Sequence, residues 1–114
     1  MKMSLIVYTA QYRYNGEDRL DITVRGKDPF GRIFAPTWEM VNGYKNKTLS
    51  EKDYIRKYNK IINDVSIIAW DHIFSLKKIT LVCFCKPETF CHRVLLAKKL
   101  EEMGAVYKGE RRSN

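Results

Sequence analysis

The chain has 114 residues, 45% of them hydrophobic, and 21 lysines and arginines against 13 aspartates and glutamates give it a net charge of +8. This length suits a single domain, 1–114, with one core, and excludes large multidomain machinery. The charge favours anionic partners such as nucleic acid, nucleotides or an acidic protein surface, although dispersed lysines also simply confer solubility.

No apolar run approaches the roughly 18 residues of a membrane span. The Leu5–Tyr8 run is too short for a secretion signal, so no membrane partner and a cytoplasmic location are expected. The three cysteines are odd in number, and Cys83 and Cys85 on one strand are poorly placed to bridge each other. Reduced thiols are therefore expected.

In chain order, Met3 to Ala10 reads as a first strand, followed by a polar stretch to Asp18 with a turn signal at Asn15-Gly16. Leu20 to Val24 has strand period and ends at Gly26. Asp21 inside it either caps a backbone turn or points into a site. Lys27 to Pro36 is a loop whose Phe30 and Phe34 either cover a ligand or pin the loop to the core. Thr37 caps a helix through Tyr44, with Trp38 and Val41 three apart. Thr48 and Glu51 form a capping-box pattern before a helix to about Asn63. Its buried stripe is Tyr54, Ile55, Tyr58, Ile61 and Ile62, and its outer face carries Lys52, Arg56, Lys57 and Lys60. Such a tyrosine stripe is ordinarily core, yet Tyr58 could turn its hydroxyl toward a pocket. Asp64 or Ser66 caps the next helix, through about Leu76, on which His72 reads as a surface or packing residue.

Ile79 to Cys85 is apolar on both alternating faces, as in a strand covered on both sides. Lys86 to Thr89 breaks it with a proline. Leu96, Leu100 and Met103 then recur at helical spacing until Gly104 stops the helix. Ala105 to Tyr107 is a short last strand, and Gly109 to Asn114 a polar tail, flexible over 110–114. The order predicts an α/β fold, a three-layer sandwich with a small, mostly parallel sheet flanked by helices.

Cys91, His92 and Arg93 therefore fall in the last loop residues or first turn of a helix that follows a buried strand. Unpaired N–H groups and a partial positive charge there attract anions and lower a thiol pKa. Arg93 adds a fork suited to phosphate or carboxylate. The carboxyl ends of strands are also where open α/β sheets bind ligands. The plain structural alternative makes Cys83 and Cys85 small core residues and His92 a polar surface residue.

A strand ending in cysteine, a short loop and then Cys-His-Arg opening a helix resembles the hallmark of the domain-of-unknown-function family 488. Cys83 and Cys91-His92-Arg93 match it here, and Leu20-Asp21-Ile22-Thr23, Phe34-Ala35-Pro36, Tyr54 with Tyr58, and Gly109-Glu110 extend the likeness over most of the chain. It is most similar to the family's short members, including ones carried by bacteriophages. Many members have glutamate where this chain has Cys85, so the family implies no role that needs three cysteines.

A Gly-rich dinucleotide fingerprint, a P-loop and the zinc-deaminase pattern are absent. A phosphatase loop needs five residues between Cys and Arg, which neither Cys85 nor Cys91 offers to Arg93. Two readings survive. In the first the chain is an enzyme for a nucleotide, nucleic acid or other anionic substrate and needs no cofactor. Cys91 is its thiolate nucleophile or acid, tuned by His92; Asp21 is a polar or general-base partner, and Arg93, Thr23, Cys83 and Tyr58 hold the substrate. In the second it is a basic module, zinc-stabilised or purely binding, for nucleic acid or a protein target; Cys83, Cys85, Cys91 and His92 are the four ligands it offers to zinc.

Overall fold

Two apolar runs, one near the start of the chain and one past its middle, become the two central strands of the sheet. The computed structural model describes residues 4–83 and 92–111. Four strands, β1 (Ile6–Gln11), β2 (Arg19–Asp21), β3 (Lys78–Cys83) and β4 (Val106–Arg111), form one sheet in the order β2-β3-β1-β4. All three pairings are parallel, with Thr9 opposite Leu81 and Leu20 also opposite Leu81 from the other side. Among the described residues five helices supply the crossovers: α1 (Pro29–Arg32), α2 (Trp38–Lys45), α3 (Glu51–Asn63) and α4 (Ile67–Ser75) between β2 and β3, and α5 (His92–Glu102) between β3 and β4. The fold is thus α/β, as expected.

Alternation along the strands gives the sheet two unlike faces. Leu5, Val7, Leu20, Ile22, Ile79 and Leu81 join Tyr58, Ile62, Ile73, Leu96 and Leu100 of the helices in one apolar core. On the opposite face Thr80 and Val82 are equally buried, but polar side chains cover that side. Thr80 Oγ1 donates to Asp18 Oδ2 at 2.6 Å and accepts from Arg111 Nε at 3.1 Å. The Arg111 guanidinium lies 3.7 Å over the Tyr8 ring, and the Tyr14 hydroxyl donates to Asp18 at 2.5 Å. Burial works to raise the Asp18 pKa, but the Thr80 and Tyr14 hydrogen bonds and the Arg111 charge together lower it. The same bond raises the pKa of Tyr14.

Local signals mostly act where the sequence places them. Thr37 caps α2 through Met40 N, Ser66 caps α4 through Ala69 N, and Gly104 ends α5 at a φ of +109°. The start of α3 differs. Ser50, not Thr48, accepts from the amide three residues on, that of Asp53, while the Thr48 hydroxyl donates to Gly43 O. β2 is shorter than its alternating pattern, because the chain turns at Thr23, whose carbonyl accepts from Gly26 N at 3.0 Å. β4 is longer, running to Arg111 with Gly109 at a φ of +106° beside a register shift. Glu110 and Arg111 therefore lie in the sheet, not in a tail.

The short helix α1 rests directly on β2, and a Cβ at Gly31 would lie 1.9 Å from the carbonyl oxygen of Asp21. Backbone cannot rotate aside as a side chain can. Gly31→Ala is therefore expected to cost about 1–3 kcal/mol of stability in urea denaturation, the usual cost of overpacking. An unchanged midpoint would mean that α1 lifts away freely.

Candidate functional site

The carboxyl ends of β2 and β3 and the first turn of α5 gather most of the described residues singled out from the sequence. Asp21 closes β2, 5% exposed, and its Oδ1 accepts from Thr23 N at 2.9 Å and from Thr23 Oγ1 at 2.6 Å. The carboxylate thus caps the turn, and its charge also acts on His92. Two glycines make room for it: a Cβ on Gly26 would come within 2.9 Å of the Asp21 carboxyl, beside the Gly31 approach to its backbone.

His92 is the first residue of α5 and is buried rather than at the surface. Its Nε2 lies 2.8 Å from Ile22 O. A carbonyl only accepts, so Nε2 carries the proton and Nδ1 the lone pair in the neutral ring. Burial, countered in part by that hydrogen bond and aided by the neighbouring Arg93 charge, lowers its pKa from 6.5 to about 4, while Asp21 pulls the other way. The ring of Tyr58 stands edge-on to it at 5.6 Å. Tyr58 gives its hydroxyl to Phe34 O at 2.6 Å instead of offering it to a pocket, and burial with the nearby Tyr54 keeps the phenol well above its ordinary pKa.

Arg93 is the largest fully buried side chain among the described residues, 1% exposed. Its Nε and Nη2 donate to the two carboxylate oxygens of Glu110 at 3.1 and 2.9 Å, and Nη1 reaches Cys83 Sγ at 2.9 Å. The fork expected to grip a substrate anion is thus engaged by a carboxylate of β4. Sequence reasoning noted Glu110 only within the Gly109-Glu110 likeness; the available signal was that an arginine on an otherwise apolar helix face needs a counter-charge.

Cys83 is disulfide-bonded, where reduced thiols are expected. The chain's other two cysteines, Cys85 and Cys91, lie outside the described residues. So does half of the zinc set Cys83, Cys85, Cys91 and His92, and its described half is engaged by the disulfide and by Ile22 O. Among the described residues no group of three or more His, Cys, Asp or Glu is placed to hold a metal ion. His72 packs, as read from sequence, stacking on Phe30 at 3.6 Å. No helix of the described residues is long and apolar enough to cross a membrane.

An α/β domain with buried ionisable groups at the carboxyl edge of a parallel sheet defines the class. The chain belongs to the DUF488-N3a family, the active DUF488-N3 subclade, whose profile matches residues 5–104. No curated protein and no solved structure gives a significant match.

Proposed function

We propose that this protein is an enzyme for a nucleotide, nucleic acid or related anionic substrate, working where β2, β3 and α5 meet. The observation that carries this reading is His92. A buried imidazole with a pKa of about 4 is neutral at pH 7, and its tautomer is set by Ile22 O. It is then a neutral dipole of fixed orientation, too weak a base at pH 7 to abstract protons but suited to polarise a substrate group. Asp21, held by Thr23, is the proton-handling group. Cys91, next to His92 in the sequence, serves in the reduced protein as the nucleophile. Arg93 acts as a positioning residue: locked to Glu110, it fixes the turn that carries His92. One observation favours the non-catalytic binding module instead, namely that the Arg93 fork is already occupied by Glu110.

The two separate by thiol chemistry. Fully reduced protein is alkylated across pH and each cysteine followed by mass spectrometry, beside turnover assays on nucleotides and oligonucleotides. The enzyme predicts Cys91 alkylation well below the ordinary thiol pKa of about 8.5 and a loss of at least 100-fold in turnover for Cys91→Ser. Stoichiometric zinc with protected thiols, or an ordinary Cys91 with no substrate turned over, hands the protein to the binding-module reading.

A further inference from the structure

One surface is charged, concave and aromatic at once, and the site described above makes no use of it. Beyond β2 the chain turns at Thr23–Gly26 and enters α1, and the two segments enclose a shallow cleft of about 730 Å³ lined by Arg25, Gly26, Lys27, Pro29, Arg32 and Ile33. No carboxylate is among those residues. Arg25, Lys27 and Arg32 are all exposed, and none of the ion pairs among the described residues uses them. The Arg25 guanidinium lies 5.2 Å over the ring of Trp38, which is nonetheless 47% exposed. Gly26 lines the cleft and also packs against the Asp21 carboxyl, which a Cβ there would approach to 2.9 Å.

We infer that this cleft is the binding groove for a single-stranded nucleic acid, resting on the nucleotide or nucleic-acid reading above and naming its substrate class. The three cations track successive phosphates, and Trp38 offers a ring on which an unpaired base stacks. That pairing of a basic groove with an exposed aromatic is how proteins hold single strands without reading sequence. It also brings the strand past Gly26, next to Asp21. The cations of α3 are arranged differently: Lys52, Arg56, Lys57 and Lys60 lie along one helix, and Arg56 pairs with Asp53 at 3.3 Å.

The two tryptophans supply a direct test, because Trp70 is buried and Trp38 is not. A ten-nucleotide oligothymidylate is titrated into the protein, read by tryptophan fluorescence and by anisotropy of the labelled strand. Trp38 should be quenched, and three phosphate contacts at about 0.7 ions each should weaken binding roughly 100-fold for each tenfold rise in salt. Trp38→Ala should abolish the quench and weaken binding about tenfold, the scale of one lost base–aromatic stack. The triple change R25A/K27A/R32A should weaken it more than tenfold. The quadruple change K52A/R56A/K57A/K60A, which removes more charge, should leave it within threefold. The idea is overturned if the α3 variant loses as much as the cleft variant, if a duplex of the same length binds and quenches equally, or if the strand does not bind at low salt. Loss of strand binding with mononucleotide turnover intact removes the cleft and spares the enzyme. Tight binding in the cleft without turnover of any nucleotide does the reverse.

Discussion

Replacing Arg93 with alanine is expected to lower the unfolding free energy by about 3–5 kcal/mol, the usual result of removing one partner from a buried ion pair. Against the roughly 5–15 kcal/mol that holds a domain of this kind together, that brings the protein close to unfolding at ordinary temperature. The loss has two sources. Glu110, whose side chain is only 19% exposed, would keep its charge without the guanidinium that neutralises it. The space left by the largest fully buried side chain would also go unfilled. Arg93→Lys should fall between, because an ammonium cannot reproduce two parallel bonds to one carboxylate. The informative variant is the double change R93M/E110L, which removes both charges and keeps the volume. It should recover most of the stability in urea denaturation. If the double variant is as unstable as Arg93→Ala, the pair is not what holds α5 to β4.

Stability should also fall steeply with acid, and His92 should account for the difference. The unfolded chain binds a proton at this residue near pH 6.5, whereas the folded chain resists it down to about 4. The unfolded state thus takes up protons first as pH falls. The contribution is full above pH 6.5, declines through the window, and is gone below about 4. A separation of this size corresponds to about 3 kcal/mol. His92→Gln keeps an N–H for Ile22 O but cannot titrate, so its stability should vary less with pH by that amount. Urea midpoints from pH 7.5 to 4 test this, and since His72 remains in both proteins the difference isolates His92. Parallel curves for the two proteins would show that the imidazole is not buried neutral.

What the sequence made legible follows from which interactions are local. The strand at 79–83 and the stop at Gly104 depend on neighbours a few residues away, and both stand where the pattern puts them. The position of Ser50 as cap was blurred because Thr48 offers the same chemistry two residues earlier. Burial of Met40 rather than Trp38 on α2 was set by how the helix lies on α3, which its own period does not specify. Met103 matched the helical spacing yet sits in the turn after α5, 38% exposed. The largest gap was the end of the chain. Gly109-Glu110-Arg111 has no apolar alternation and reads as tail. It is strand because Glu110 meets Arg93 and Arg111 meets Thr80, partners 17 and 31 residues away. Asp21, Thr23, Cys83, His92 and Arg93 were named from sequence and do come together, but the closing of Arg93 by Glu110 is a tertiary fact.

β4 carries those two residues side by side, and alternation sends them to opposite faces of the sheet. Glu110 is tied to α5, and Arg111 to the loop that covers the far side. A strand fastened this way does not fray one face at a time. If β4 parts from β1, α5 is left with a desolvated cation and the far face loses its cover in the same event. The carboxyl edge of the sheet, the first turn of α5 and the 12–18 loop therefore open and close as one cooperative unit.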